Sequence, residues 1–481
     1  MFMTDDILSI RHKKLQNIEA SGLKPFGRRF DKTDTLMGIK AGFEENKLVK
    51  VAGRLMNLRE HGKSLFCDIK DHTEKMQLYL KKDNLGDAFA LKDQLDIGDI
   101  LGAEGKLFKT RTGEITVNVE SFIVLAKSMR PLPEKWHGLK DVETRYRQRY
   151  LDLIANDEVK KVFIARSRII SQTRSFFDSK GYIEVETPML QPLAGGAAGR
   201  PFKTHHNVYD RDLYLRIAPE LYLKRLLVGG FERVYEINKS FRNEGISPRH
   251  NPEFTMLEAY TAYADYNDLM PMVEELIYNL AKDVMGKEIV EYKGKEIDLT
   301  PPWERVSFAE IMKDQFGITP EDELGIMVEK IKKKGIKLEG NLKKISRTKL
   351  INIIADLVDP ESKSGKPIFV TDYFTELCPL AKTKEDNPAL SERFELYMAR
   401  IEIANAYSEL NNPIEQRERF EKQLNVDKET NDKVDEDYVR ALEYGMPPAA
   451  GLGIGIDRLT MILTGQESIR DVILFPQLKP E

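Results

Sequence analysis

Cysteine is close to absent from this chain of 481 residues: Cys67 and Cys378 are the only two. Two thiols so far apart exclude a disulfide framework and a cysteine-built zinc site. Long apolar runs are missing as well. No stretch of about 18 apolar residues occurs, no apolar segment follows a basic start, and no low-complexity tract is present. That pattern excludes a membrane-spanning helix and makes the cytoplasm the expected address. A strong excess of one charge is also lacking: the net charge is −4 although 32% of residues are charged. On that balance a nucleic-acid partner must be met by a local basic face, not by the whole surface.

A chain this long is expected to form two or three domains. Residues 4–22 read as a helix, with Ile7, Leu8, Ile10, Leu15 and Ile18 apolar among Arg11, Lys13 and Lys14, stopped by Gly22 and Pro25. Between Leu48 and Val124 the pattern changes to five short β-rich runs, which suggests a small barrel of the OB type. Such barrels bind single-stranded nucleic acid across their second and third strands. Phe66 on the second and Gln77 on the third are placed for a base to stack on one and hydrogen-bond to the other. Arg59 precedes them and Glu114 opens the last strand; the plain alternative for Phe66 is a buried barrel aromatic.

Leu125 to Asp141 is rich in proline and charge and reads as a linker. A long amphipathic helix follows over Glu158–Lys180, ended by Gly181, and then a strand over Tyr182–Glu186. The small-residue loop Gly195-Gly196-Ala197-Ala198-Gly199 lets backbone approach a ligand closely. Glu220 is expected to cap the helix that starts at Leu221, and Asp268–Val284 reads as a helix. Pro302 to about Asp359 reads as a lysine-rich, mostly helical insertion.

Two stretches carry chemistry. Phe241-Arg-Asn-Glu-Gly-Ile-Ser-Pro-Arg-His-Asn-Pro-Glu-Phe-Thr255 suits two antiparallel strands joined by a polar loop that reaches over a polyanion. Arginine offers a planar fork that matches a phosphate. Gly451-Leu-Gly-Ile-Gly-Ile-Asp-Arg458 supplies a second arginine at a glycine-tight helix start. Either alone is weak; together Arg242 and Arg458 can clamp a triphosphate from two sides. Near the C-terminus, strict alternation over Arg400–Leu410 puts Asn405, Tyr407 and Glu409 on one face and Glu402 on the other. Glu395 and Glu402 are candidates for magnesium, which takes one or two carboxylates plus phosphate oxygens, and Glu409 for an ammonium.

These stretches resemble motifs 2 and 3 of the class II aminoacyl-tRNA synthetases, and Val159–Pro188 resembles motif 1. Pro-Leu-Ala-Gly-Gly-Ala-Ala-Gly-Arg-Pro-Phe at 192–202, Ala-Pro-Glu-Leu-Tyr-Leu-Lys-Arg-Leu at 218–226 and Tyr-Ser-Glu-Leu-Asn at 407–411 are similar to the lysyl branch of that class. The resemblance runs from about residue 10 to the end. It implies an α+β fold: an N-terminal helical segment over 1–45, an OB-type anticodon-binding barrel over 46–125, a linker over 126–144, and a catalytic domain over 145–481, an antiparallel sheet flanked by helices.

The activity implied is activation of L-lysine by ATP with Mg²⁺, then transfer to tRNA(Lys), by a homodimer formed through motif 1. Arg242 would hold the α-phosphate, with His250, Arg458 and Arg249 at the other phosphates. Phe254 would stack under adenine, with Glu244, Asn251 and Gly455 completing the nucleotide site. Gly196 and Glu220 would meet the α-amino group, Glu409 and Tyr260 the side-chain ammonium, with Glu258 and Tyr407 nearby and Asn405 on the carboxylate. Arg59, Phe66, Gln77 and Glu114 fall where the anticodon is read. Three positions depart from the pattern: Ala406 and Arg400 stand where glycine is frequent, and Asn412 where aspartate is usual. The added methyl of Ala406 is expected to narrow the pocket. Rival readings are lysylation of another acceptor, disfavoured by the barrel, and a non-catalytic RNA-binding paralogue, which would be expected to lose Arg242, Arg458 or Glu402.

Overall fold

A computed structural model describes every residue of the chain apart from 1, 134–138, 198, 337–344, 356, 359, 361, 363, 427–432 and 481. Part of the expected linker, Ala198 of the small-residue loop and part of the expected insertion thus lie outside the described residues. The chain forms two compact units, Met1–Lys140 and Asp141–Glu481.

In the first unit the N-terminal helix spans Phe2–Ala20. Five strands close a barrel in the order β1-β2-β3-β5-β4: β1 (Leu48–His61), β2 (Ser64–Lys70), β3 (Lys75–Lys81), β4 (Ile100–Lys109) and β5 (Ile115–Ala126). Alternation decides which side chains fill it. Leu65, Cys67 and Ile69 of β2 and Met76, Leu78 and Leu80 of β3 are buried inside. Their neighbours of opposite parity, Phe66, Gln77 and Tyr79, are left on the outer surface.

The second unit is built on an eight-stranded sheet. Its strands, with the smaller ones between, are β6 (Ile183–Glu184), β7 (Leu190–Gln191), β8 (Lys203–His206), β9 (Arg211–Leu215), β10 (Arg233–Phe241), β11 (Glu253–Ala262), β12 (Ile289–Tyr292), β13 (Lys295–Asp298), β14 (Glu304–Ser307), β15 (Ile368–Phe374), β16 (Leu390–Met398), β17 (Ile401–Ser408) and β18 (Ala449–Gly455). The sheet order is β14-β15-β16-β17-β18-β11-β10-β6. It is antiparallel except at its two ends, where β6 and β14 pair in parallel.

One sheet face buries Leu257, Phe394, Leu452 and Ile454 against Ile169 and Phe177 of the helix Asp157–Ser179, Val273 and Ile277 of Tyr266–Leu280, and Leu459 and Ile462 of Ile456–Thr464. That packing leaves the opposite face free for polar residues. Asp265 starts the second of these helices with a reciprocal cap to Asp268, which places its first residue at Tyr266, two before the expected start.

Two sequence expectations change here. Tyr182–Glu186 pairs only over the two residues of β6. The segment from Pro302 is not wholly helical: Glu304–Ser307 is a strand of the main sheet, and the helices Phe308–Phe316, Leu324–Lys333 and Arg347–Ala355 follow around their own core of Met312, Met327, Ile331 and Leu350. A four-residue strand ahead of an amphipathic helix carries no periodicity of its own, so pairing with β15 decides it.

Candidate active site

The free face of the sheet floors a cavity of about 1100 Å³. Its floor is β18, where Gly451, Gly453 and Gly455 face the cavity while Leu452 and Ile454 point into the core. At Gly451 the missing side chain is required: a Cβ there would run into Glu409 and stand 2.5 Å from Tyr260 Cε1. Register then lays Glu258, Gly453, Asn405 and Glu395 in one row across β11, β18, β17 and β16. Sequence alternation thus becomes a continuous polar surface.

At one end of the cavity stand cations. The Arg458 guanidinium donates to Glu402 Oε2 at 3.2 Å, to the Glu402 carbonyl at 3.0 Å and to His250 Nε2 at 3.2 Å. A guanidinium only donates, so Nε2 accepts and the imidazole proton sits on Nδ1, facing Ser247 Oγ at 2.8 Å. Burial, reinforced by Arg458, holds the His250 pKa below its ordinary value. Arg242 is half-buried, its Nε is buried with no hydrogen-bond partner among the described residues, and its guanidinium lies 5.1 Å over the Phe254 ring. Burial lowers its pKa as well. An enclosed guanidinium with a free N–H is a site for an anion.

Glu244 and Arg249 also line this end. Asn251 is engaged with backbone: its amide donates to the Glu253 carbonyl at 2.6 Å and accepts from Gln477 N–H at 3.3 Å. Gly455 occupies the N-cap position of the helix that carries Arg458. Asp457, next to it, accepts from Thr255 N–H at 2.7 Å and pairs with Arg166 at 2.7 Å, fixing the helix start against β11 and the long helix.

Glu402 corrects the simple alternation. It was expected opposite Asn405, but the β16–β17 register shifts between Leu396 and Tyr397. The bulge inserts a residue and turns Glu402 onto the cavity face. The hairpin that joins these strands is tight, with Ala399 and Arg400 both left-handed at φ +46° and +64°, which accounts for glycine being expected there. Glu395 accepts from Tyr373 at 2.7 Å and from Arg393 and Tyr397 at 2.5 Å each. Burial, then repulsion from Glu395, raises the Glu402 pKa against the pull of Arg458. Two carboxylates on one face that resist joint ionisation suit a divalent cation.

The other end of the cavity is acidic. Glu220 does not cap its helix, Glu220–Val228, whose N-cap position is Pro219 without a side-chain bond. Its carboxylate instead points inward, accepting from Tyr407 Oη at 2.6 Å and from Lys224 Nζ at 2.6 Å. Lys224 also pairs with Glu409, and both side chains are wholly buried. Burial alone would lower the Lys224 pKa, but Glu220 and Glu409 outweigh it and hold the ammonium above its ordinary value. Glu409, expected to meet an ammonium, therefore already has one in Lys224 of its own chain. Glu258 accepts from Tyr260 Oη at 3.2 Å, and burial, then repulsion from Glu220, pushes its carboxyl up to about 8. Gly196 is left-handed at φ +85°, and a Cβ there would lie 2.9 Å from Glu220 Cβ.

Between the two ends, Asn405 Oδ1 accepts from Arg393 Nε at 2.9 Å, which turns its amide N–H₂ group outward. Ala406 does not touch the cavity. It is fully buried in the core behind the sheet, so its methyl does not narrow the pocket as expected. Asn412 accepts from Ile414 N–H at 3.0 Å ahead of the helix Pro413–Val426, a capping role that asparagine and aspartate share.

On the barrel, Phe66 is on the outside and stacks on Tyr79 at 4.6 Å with 30° between the rings. His61 and Phe108 extend this aromatic strip at 6.1 and 6.0 Å. Arg59 pairs with Asp68 at 3.5 Å beside Phe66, and Gln77 accepts from Thr116 at 3.0 Å. Glu114 is exposed in the turn ahead of β5.

Sequence reasoning missed Lys224, Arg393, Tyr79 and Asp68. Only Lys224 carried a local signal, four residues after Glu220 on one helix. The others depend on cross-strand partners.

A family model described as tRNA synthetases class II (D, K and N) matches residues 141–479, and one for the OB-fold nucleic acid binding domain matches 49–125. Over 99% of its length the chain is 53% identical to a lysine–tRNA ligase of Pelotomaculum thermopropionicum, covering 95% of that protein. It is 52% identical to the lysine–tRNA ligase of Carboxydothermus hydrogenoformans and 48% to that of Halalkalibacterium halodurans, each over 99% of this chain and 98% and 97% of theirs. With this cavity and this barrel, the chain belongs to the class II tRNA synthetases of the D, K and N group, and within it to the family of the lysine–tRNA ligases.

Proposed function

We propose that the protein joins L-lysine to the 3′ end of tRNA(Lys) in two steps. The carboxylate of lysine attacks the α-phosphorus of ATP, giving lysyl-adenylate and releasing pyrophosphate. A terminal ribose hydroxyl of the tRNA then attacks the lysyl carbonyl and releases AMP. The observation that carries this reading is the division of one cavity into a cationic end (Arg242, His250, Arg458) and a carboxylate end (Glu220, Glu258, Glu409), with the Asn405 amide between.

A polyphosphate and an amino acid with a second ammonium group are the ligands that match such a division. Neither step needs a protein nucleophile; alignment and charge stabilisation suffice. Arg242 binds the α-phosphate, Arg458 and His250 the distal phosphates with Arg249 assisting, and Phe254 the adenine with Glu244 on its amino group. His250 acts as a neutral hydrogen-bonding group, since its pKa is depressed. Glu220, with Gly196, meets the α-amino group; Glu409 and Tyr260 meet the far ammonium, and Asn405 donates to the carboxylate. Glu395 and Glu402 would hold Mg²⁺, which when bound neutralises phosphate charge.

On the barrel, Phe66 stacks on an anticodon base, with Arg59, Gln77 and Glu114 around it. Two copies associate through motif 1, where Ile164 and Ile183 are exposed aliphatics. The reaction belongs in the cytoplasm, where two buried free thiols stay reduced.

The test is amino-acid-dependent ATP–pyrophosphate exchange without tRNA, run with lysine, β-lysine, ornithine, aspartate and asparagine. Lysine alone is expected to support exchange, and Glu409→Gln to cut its kcat/KM for lysine by about 100-fold or more while leaving it measurable at high lysine. Silence with lysine, or exchange with aspartate, would sink the reading; sedimentation gives the oligomeric state.

A further inference from the structure

We propose that Lys224 is a positioning residue for amino-acid recognition: a resident ammonium that bridges Glu220 and Glu409 and holds each carboxylate where it meets one ammonium group of the substrate. The inference rests on the lysine-binding reading given above.

Lys224 lies one turn after Glu220 on the same helix, its side chain wholly buried, with Nζ 2.6 Å from Glu220 Oε1 and paired with Glu409 Oε2. Its ammonium is 5.4 Å from the centroid of the Tyr407 ring, and the Tyr407 hydroxyl donates to the same Glu220 oxygen at 2.6 Å. Glu220 is thus held by two donors from two elements. Glu409 is different: among the described residues neither of its buried oxygens accepts a hydrogen bond, Oε2 being ion-paired with Lys224 and Oε1 lying against Gly451 on the cavity floor. Lys224 takes one carboxylate oxygen and leaves the other for a ligand.

Charge supports the same division of labour. Glu258 and Tyr260 of β11, Tyr407 of β17 and Tyr438 of the helix Glu436–Glu443 are the other titratable groups around the bridge. Burial raises the Glu409 carboxyl pKa well above its ordinary value, and Lys224 is the group that pulls against that shift. Without Lys224, two adjacent buried carboxylates would face each other with no cation. One would take up a proton and swing away, and lysine would have to displace that proton to bind.

The experiment is lysine-dependent ATP–pyrophosphate exchange by wild type, Lys224→Met, Glu409→Gln and the double variant, at several pH values. Lys224→Met is expected to raise the KM for lysine at least ten-fold, with kcat within about three-fold and the KM for ATP within about two-fold. Between pH 6 and 8 its kcat/KM for lysine should climb more steeply than that of wild type. The effect of Lys224→Met should be at least ten-fold smaller in the Glu409→Gln background, because the two side chains act as a unit.

Unchanged KM and pH profile, equal effects in the two backgrounds, or lysine and ATP KM rising together would each overturn the proposal. Should Lys224→Met not fold, Lys224→Arg keeps the charge but displaces it, and carries the same expectation of a lysine KM raised against an unchanged ATP KM. Wild type that shows no response to lysine would sink the reading of the site; wild type that responds while Lys224 is indifferent sinks only this inference.

Discussion

Arg458 stands between His250 and Glu402, donating to His250 Nε2 at 3.2 Å and to Glu402 Oε2 at 3.2 Å. One guanidinium thus orders a neutral imidazole on the motif 2 loop and a carboxylate on β17, two groups that are remote in sequence. Replacing Arg458 with alanine is expected to lower kcat for ATP–pyrophosphate exchange about 10²–10³-fold, the usual loss when one donor to developing phosphate charge is removed. The melting temperature should change little, because the side chain borders the cavity. Retention of more than a tenth of wild-type exchange would refute its assignment to the phosphates.

Glu258 makes lysine binding depend on pH. Its folded pKa of about 8 lies above the ordinary carboxylate value, so Glu258 holds a proton at neutral pH before lysine binds. An arriving ammonium favours the ionised form and expels that proton. Affinity for lysine is therefore expected to rise between pH 6 and 8, by up to about ten-fold per unit. Calorimetry at pH 7 in buffers of different ionisation enthalpy should show close to one proton released per lysine, and Glu258→Gln should abolish the release.

The sign for stability is opposite. A raised carboxyl pKa contributes stability fully present below the unfolded value and lost as pH rises through about 8. The unliganded Glu258→Gln protein should lose less stability than wild type between pH 6 and 9, which urea melts at each pH will measure.

Gly451→Ala should strike the amino-acid end alone. The added methyl falls on Glu409 and on Tyr260 Cε1 at 2.5 Å, a contact real Cβ atoms do not make. A rise of at least ten-fold in the KM for lysine is expected, with ATP binding retained. If lysine binding survives intact, Glu409 and Tyr260 are not its partners.

Phe66→Ala removes the ring that stacks on Tyr79. A lost base–aromatic stack costs about 1–3 kcal/mol, so kcat/KM for tRNA should fall roughly 5- to 150-fold while tRNA-independent exchange is unchanged. Filter binding of the tRNA together with both assays checks it; an unchanged kcat/KM would return Phe66 to a surface role.

Arg400→Gly relieves a left-handed backbone at φ +64°. Glycine is at home there, and the exchange should stabilise the protein by about 0.5–1 kcal/mol. Chemical denaturation is the measure, and a loss of stability would show that the hairpin stores no strain at this position.

How far the chain could be read in advance depended on the reach of each signal. The two arginines, the glycine run and the five short strands were legible because motif spacing and period-two alternation are local. Phe66 could be placed on its strand, but its outward aspect became evident only once Leu65, Cys67 and Ile69 filled the barrel. Glu402 was put on the wrong face because strict alternation assumes an unbroken register, and the bulge opposite Leu396 and Tyr397 breaks it. Ala406 was expected beside the pocket for want of a known sheet face.

The sequence by itself determined most of the longer elements and the kinds of chemical group available, since propensity, periodicity and motif spacing act over a few residues. Only the tertiary structure decided which groups meet. Lys224 reaches Glu409 across 185 positions of chain because the helix Glu220–Val228 packs on β10 and β11 through Leu223 and Leu227, against Val234 and Tyr260. Burial there makes an ion pair of what would be two solvated charges on an exposed helix and strand, and desolvation, which no single residue carries, sets their states.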